Sequence, residues 1–426
     1  MKKATTFTIN DFTSFRLKML NWSKQFNIFC FLDNSGYRYD APAFECLLAT
    51  GCKASLQTNA GNAFEALREF SIHHQKDWLF GHLAYDMKNE TAQLQSGNFD
   101  GVGFADMHFF VPQTVLQLSG QTLTIYSEDN ADSIFSSITS FEQLMESTLS
   151  EITIHSRFSK AEYIDTVQKL QQHILRGDCY EINFCQEFFS SEADIDPWSV
   201  YHKLMQLSPS PFAAFYRTND NYCICASPER YLKKLDNKII SQPIKGTASR
   251  SLTDAVLDEK NRQQLLTSDK EKSENVMVVD LVRNDLSKVC KKGTVKVDKL
   301  FGIYSFPQVH QMISTVSGEL ENGLDWTDAV KATFPMGSMT GAPKLRVMQL
   351  TEQYEKTRRG LFSGTIGYID PLGNCDFNVV IRSILYNAAA KYASFQTGSA
   401  ITFYSDAESE YAECLLKAAA LKKVLE

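Results

Sequence analysis

Hydrophobic and polar positions along this chain recur with two different periods, and the change of period marks its elements. Val167, Leu170 and Ile174 keep helical spacing behind Ser159 and Glu162, which form a capping-box pattern, and Gly177 closes the run; together they predict a helix. Tyr180, Ile182, Phe184 and Phe188 then alternate as a strand does. Phe212 to Tyr216 and Tyr222 to Ala226 flank Thr218-Asn219-Asp220 and predict a hairpin. A second hairpin runs from Phe362 to Ile369, turns through Asp370-Pro371-Leu372-Gly373-Asn374 and returns from Phe377 to Tyr386.

Earlier in the chain, short aromatic-rich strand patterns cover Trp78 to Tyr85, Val102 to Phe110 and Thr122 to Tyr126. Ser127 to Ser140, rich in Ser, Asp, Asn and Thr, reads as a loop before a helical pattern at Phe141 to Leu149. A boundary near residue 150 divides the chain into a strand-rich N-terminal part, 1–150, and a second part, 151–426. Antiparallel strand runs alternate with helices without a regular βαβ rhythm, so the predicted class is α+β.

Composition narrows the function classes. Of 426 residues, 43% are hydrophobic and 22% charged, an ordinary globular balance. Lys plus Arg number 43 against 50 Asp plus Glu, a net charge of −7, which argues against a broad nucleic-acid footprint but leaves room for a local basic pocket. Met1 to Asp11 has two lysines without an apolar run behind them, unlike a signal peptide, and apolar stretches such as Phe26 to Leu32 are too short to span a bilayer. The ten cysteines form no C-x-x-C pair, and the eight histidines lack metal-ligand spacing. Cys223 and Cys225 read as small buried residues on one face of a strand. Thiols without a framework predict a cytoplasmic protein, with neither membrane nor nucleic acid as partner.

Two helices place acidic residues in register with their apolar stripes. Glu271, Glu274, Val278 and Leu281 lie at 0, +3, +7 and +10; Glu410, Glu413, Lys417, Leu421 and Val424 lie at 0, +3, +7, +11 and +14. Unpartnered buried carboxylates are costly, so facing E-x-x-E pairs would suit a hard cation such as Mg²⁺; the alternative is a solvated charge run near a helix start. Arg382 interrupts a strand pattern that is apolar on both faces, where its guanidinium must meet either a ligand carboxylate or a structural Asp or Glu. Thr340-Gly341-Ala342-Pro343-Lys344 opens a helical run, an anion-holding start or simply a well-made N-terminus. Lys245 lies between a proline-led strand end and Gly246. Only about one ordinary lysine in 2,500 is deprotonated at pH 7, so by itself this residue is a weak candidate nucleophile.

Six segments occur in an order that resembles a known family: Ser227-Pro228-Glu229-Arg230, Pro243-Ile244-Lys245-Gly246-Thr247, Asp280-Leu281-Val282-Arg283-Asn284-Asp285-Leu286, Ser314-Thr315-Val316-Ser317-Gly318-Glu319-Leu320, Thr340-Gly341-Ala342-Pro343-Lys344 and Gly364-Thr365-Ile366-Gly367-Tyr368-Ile369. They resemble the chorismate-utilising enzymes, which include anthranilate, aminodeoxychorismate, isochorismate and salicylate synthases. The resemblance spans about residues 155 to 425 and is loose over 1–150, around Gly81-His82-Leu83-Ala84-Tyr85. It implies two antiparallel β-sheets packed together and flanked by helices.

By the same resemblance, Glu274 and Glu413 would ligate Mg²⁺ while Glu271 and Glu410 hold its waters. The metal, assisted by Lys417, would take the ring carboxylate of chorismate. Arg382 and Tyr368 would grip the enolpyruvyl carboxylate, backbone amides near Gly398 would complete that site, and Thr247 would lie against the ring. Lysine at 245 is similar to the aminodeoxychorismate-forming branch, where it attacks C2 as Glu229 protonates the departing 4-hydroxyl, before ammonia enters at C4. The implied activity is Mg-dependent amination of chorismate to 4-amino-4-deoxychorismate, for 4-aminobenzoate and folate synthesis. Ammonia would come from a separate glutaminase subunit, since no Cys-His-Glu arrangement in a strand–nucleophile–helix context is found. Anthranilate or isochorismate formation is the alternative, and a non-catalytic chorismate-binding subunit a distant one. Two departures stand out: Gln311, where many members have histidine, with His310 one residue earlier, and Gly398-Ser399-Ala400 in place of a glycine-richer turn.

Overall fold

A computed structural model describes residues 3–37, 44–141, 152–306 and 309–426. Its centre is two antiparallel sheets, one of twelve strands and one of ten. The larger runs from Lys3–Thr8 at one edge, through Ile28–Asp33, Phe212–Thr218, Asn221–Ser227 and Ser383–Asn387, to Tyr392–Ile401, Glu181–Ser190 and the short Gly341–Ala342. The smaller runs from Ile244–Ser249 through Val309–Glu319, Lys238–Gln242, Arg230–Leu235, Cys375–Asn378 and Thr365–Ile369 to Leu79–Leu83, Met107–Val111 and Ala54–Thr58. Both sheets draw strands from either side of residue 150, so the N-terminal strands share the cores of the later ones.

Strand alternation explains the layers. Cys30, Cys223 and Cys225 face a core between the sheets, shared with Phe80, Phe109, Ile366 and Phe377 of the smaller one. Their strand neighbours Phe29, Phe31, Tyr222 and Ile224 point the other way, into a second core covered by helices Phe12–Trp22, Lys160–Leu175, Pro197–Leu207 and Ala407–Leu425. At these positions of the larger sheet, small inner side chains leave room for the phenylalanines of the smaller one, while the large outer ones are buried under the helices. Helix Asp269–Ser287 lies against the smaller sheet through Val278, Val279, Val282 and Leu286. The two glutamate-bearing helices therefore belong to different sheets.

The helix after Ser159 forms over Lys160–Leu175 with a complete capping box, and the predicted Phe212 hairpin forms, with Phe212 opposite Ser227. Other expectations need correction. Ala131–Ser140, within the predicted loop, is a helix: the Asn130 side chain caps it, Ile138 is buried, and Phe135 stacks on Phe7 at 4.5 Å. Polar composition hid an apolar face of Ala131, Ile134, Phe135 and Ile138. The strand predicted from Val102 begins only at Met107, because Asp100 accepts the amides of Val102 and Gly103 and turns the chain there. The helical pattern at Phe141 to Leu149 lies largely outside the described residues. The return of the second hairpin is not one strand: Cys375–Asn378 pairs in the smaller sheet, Val379 to Arg382 crosses over, and Ser383–Asn387 pairs in the larger.

Candidate active site

The crossovers between sheets create the site. One passes from Asn221–Ser227 to Arg230–Leu235 and carries Glu229; the other passes from Cys375–Asn378 to Ser383–Asn387 and carries Arg382. They are tied together, since Glu229 O accepts from Val379 N and Arg382 O accepts from Ala226 N. Arg382 is thus not a strand residue: it has φ +50°, an uncommon conformation for a residue with a side chain. Among the described residues, no carboxylate lies within ion-pair distance of its guanidinium. Burial lowers the Arg382 pKa, partly countered by Glu229 and Tyr37, yet a guanidinium remains charged. An unpaired, partly buried arginine is the feature expected of an anion site.

Glu229 is 4% exposed, and burial pushes its carboxyl up to about 7 against the pull of Ser338, Lys245 and Arg382. Facing it is Lys245, at an irregularity in the pairing of Ile244–Ser249 with Val309–Glu319: Ile244 pairs with Ile313 and Thr247 with Gln311. The extra residue bulges the strand, and Gly246 takes φ +94° to allow it. The bulge turns Lys245 toward the larger sheet, where its Nζ donates to Glu181 Oε1 at 2.9 Å. Burial acts to lower the Lys245 pKa, but the carboxylates of Glu181, Glu274 and Glu229 outweigh it and raise the value. Desolvation therefore does not free this amine; its neighbours hold it as an ammonium.

The acidic helices meet the same space. Burial raises Glu274 to about 7 despite Lys245, and burial together with the field of Glu413 raises Glu271. Burial also acts to raise Glu413, but Lys417, Lys270 and Lys245 hold it below the usual range. Glu413 pairs with Lys417 at 2.8 Å, and Lys417 Nζ donates to Gly398 O at 2.9 Å. Glu410 is buried at the start of its helix. Glu271 and Glu274 are only partly exposed, so they are not members of a solvated charge run. Among the described residues no three His, Cys, Asp or Glu side chains close on a single point. The donor set is nevertheless all oxygen, with carboxylates made costly by burial and mutual repulsion, which fits a hard cation that retains waters.

Tyr368 is placed elsewhere. Its ring packs among Phe44, Trp78 and Phe80, with centroids 5.4 to 6.0 Å away. The crossover toward Arg382 passes the start of this strand at Gly364, whose carbonyl accepts from Val380, and Tyr368 lies four residues further on, about 13 Å in an extended chain. Sequence proximity to the G-T-I-G segment was misleading because that strand runs away from the crossover. Thr247 is exposed and pairs with Gln311, whose buried Oε1 has no partner among the described residues. His310 is buried with its ring nitrogens at Ser305 Oγ and Asp258 Oδ1, so it does not replace the missing histidine. Gly398-Ser399-Ala400 lies in the regular strand Tyr392–Ile401 and none of the three has positive φ. Glycine is required at 398 by closeness: a β-carbon would run into the Phe184 carbonyl and lie 2.6 Å from Cys185 Sγ. Lys344 reaches Asp285 and the carbonyl of Pro335, so that helix start is occupied by the protein's own groups.

Sequence reasoning missed Glu181. It begins strand Glu181–Ser190, which is buried on both faces, and the carboxylate among Tyr180, Ile182 and Phe184 was the available signal.

A family model described as chorismate binding enzyme matches residues 29–423. The chain belongs to that family of enzymes. Aminodeoxychorismate synthase component 1 of Bacillus subtilis (strain 168) is 32% identical over 382 residues, 85% of this chain and 80% of that protein. A longer chloroplastic relative from Oryza sativa subsp. japonica is 43% identical over 272 residues, 63% of this chain but 30% of its own length. In three dimensions, anthranilate synthase component I from Streptococcus pneumoniae TIGR4 matches with TM-score 0.78 and 25% identity, over 91% of this chain and 94% of that one. No described helix is long and apolar enough to cross a membrane.

Proposed function

We propose that this chain is the synthase component that aminates chorismate at C4, giving 4-amino-4-deoxychorismate with ammonia delivered by a separate glutaminase subunit in the cytoplasm. The observation that carries this reading is Lys245, aimed from a strand bulge into a space bounded by Glu229 and the two acidic helices. Arg382, without a carboxylate partner of its own among the described residues, would take the enolpyruvyl carboxylate. Glu271, Glu274, Glu410 and Glu413 would hold Mg²⁺ directly or through waters. The ion would supply positive charge for the ring carboxylate that this acidic site otherwise lacks. Thr247 would position the ring and Lys417 would support Glu413.

Glu229, with a pKa about 7, is suited to protonate a departing hydroxyl at neutral pH. Lys245 would form a bond to C2 as the C4–O bond breaks and water leaves with the proton of Glu229. Ammonia would then bond to C4, the ring double bonds would shift back, and the C2–N bond would break to release the lysine. Gln311 in place of histidine favours a reaction that stops before pyruvate loss. The name of the Bacillus subtilis relative supports the same branch. Product mass spectrometry with chorismate, Mg²⁺ and an ammonium salt tests the assignment. A compound that a separate lyase converts to 4-aminobenzoate supports it; anthranilate or isochorismate as the product overturns it.

A further inference from the structure

The reading of Lys245 as a nucleophile leaves its proton unexplained. A lysine paired with a carboxylate is an ammonium and has no lone pair to donate. Glu229 cannot accept that proton, because it must carry one of its own to the leaving hydroxyl. Glu274 comes from the helix assigned to the cation. Glu181 is different: it is 2% exposed, its Oε1 accepts from Lys245 Nζ at 2.9 Å, and its buried Oε2 has no hydrogen-bond partner among the described residues. It is also held rigidly, since it pairs across strands with Ala342, and the neighbouring Tyr180 N donates to Ala342 O.

We propose that Glu181 is the proton acceptor and positioning partner of Lys245, taking a proton through Oε1 as the amine forms its bond to the ring and returning it when the amine is expelled. The proposal rests on the nucleophilic reading of Lys245 given above. Transfer within a buried pair neutralises both members at once, whereas loss of the lysine proton to water would leave the Glu181 carboxylate buried and uncompensated.

The charges balance through the cycle. The resting pair is lysine ammonium and Glu181 carboxylate beside protonated Glu229. After transfer, neutral Lys245 bonds to C2, the ring double bonds shift, and the C4–O bond breaks as Glu229 gives its proton to the departing water. The adduct is a secondary ammonium facing the Glu229 carboxylate. Ammonia bonds to C4, the C2–N bond breaks, and neutral Lys245 leaves to regain its proton from Glu181. The new C4 ammonium returns one proton to Glu229, which restores the starting state.

The test compares wild type, Glu181→Gln, Lys245→Ala and the double variant at saturating chorismate and Mg²⁺, with free ammonia held constant across pH. Around Lys245 the charged groups are Glu181 from its strand, Glu274 from the helix Asp269–Ser287 and Glu229 from the crossover, with Glu271 and Glu413 also in its field. The glutamine variant removes only the first. Its kcat is expected to fall about 100-fold near neutral pH while KM stays within about threefold. The deficit should shrink as pH rises, because solvent then removes the lysine proton. Adding Glu181→Gln to Lys245→Ala should cost nothing further.

A Glu181→Gln protein as fast as wild type, or faster, near neutral pH would overturn the proposal and make Glu181 a mere counterion. An equal loss on the Lys245→Ala background would overturn it as well. Should the glutamine variant not fold, Glu181→Asp serves: it keeps the charge but withdraws the oxygen, and must lower kcat while sparing KM. A wild type that makes no C4-aminated product, or a fully active Lys245→Ala, sinks the nucleophile reading itself and the proposal with it. That outcome is recognised without the Glu181 variants.

Discussion

Gly246 passes so close to Glu271 that a β-carbon at 246 would lie 2.9 Å from Glu271 Oε2. The bulge that aims Lys245 and the helix that carries two of the acidic residues thus meet through a residue with no side chain. Gly246→Ala would force a side chain into φ +94° and displace the carboxylate. Strain of about 1 kcal/mol or more is expected, lowering the thermal midpoint by about 1–3 °C. Activity should fall more steeply, about tenfold or beyond, because the displaced groups belong to the site. A melting curve beside steady-state rates checks both, and full activity would contradict the contact.

Glu229 gives a pH prediction. Its carboxyl lies at about 7, and in the proposed reaction it must be protonated to act on the departing hydroxyl. At constant free ammonia, kcat/KM for chorismate should therefore decline above pH about 7, tenfold per unit once deprotonation is complete. Glu229→Gln should abolish turnover while chorismate binding, followed by fluorescence or calorimetry, persists. A Glu229→Gln protein that still turns over with the wild-type alkaline limb would assign the decline to another group.

Arg382 and Tyr368 should separate cleanly. Arg382→Ala removes a cation with no carboxylate partner among the described residues and should raise KM about 100-fold, the loss expected for a charge-assisted carboxylate contact. Tyr368→Phe changes only a ring edge inside the Phe44, Trp78 and Phe80 cluster and should leave KM within about twofold. Steady-state kinetics of the two variants decides it; a large KM effect at Tyr368 would restore it to the substrate site.

Much of the fold could be read from the chain because its signals were local. The Ser159 and Glu162 capping box and the Thr218-Asn219-Asp220 turn state their geometry within a few residues. The glutamate pairs announced themselves by standing in an apolar stripe. What stayed hidden depends on the path of the backbone between sheets. Val379 to Arg382 looks like a continuous strand, and nothing in its composition marks the crossover that lifts Arg382 into the site. The sequence placed Tyr368 beside Arg382 for the same reason. Glu181 was hidden because its partner lies 64 residues away on the other sheet.

Two buried histidines predict acid sensitivity away from the site. His82 Nε2 lies 2.9 Å from Ala105 O and so carries the proton; its Nδ1 accepts from the Tyr216 hydroxyl at 3.1 Å, and His108 Nδ1 donates to that oxygen at 2.7 Å. Burial holds His82 at about 3 and His108 at about 4, below the ordinary 6.5. Their contribution to stability is present above pH 6.5 and is lost as pH falls from there through the two lower values, because the unfolded chain binds protons first. The urea midpoint should drop between about pH 6.5 and 4, and His108→Gln should flatten that slope. Equal pH dependence in the variant would contradict the network.

A bond between Lys245 and the substrate would be visible by mass spectrometry of the protein. Protein is mixed with chorismate and Mg²⁺ without ammonia, quenched, and digested to locate any adduct. An added mass of chorismate less one water is expected on the peptide containing Lys245, absent from Lys245→Ala and discharged as 4-amino-4-deoxychorismate when ammonia is supplied. Rapid amination by the wild type with no adduct at any time, together with an active Lys245→Ala, would contradict it.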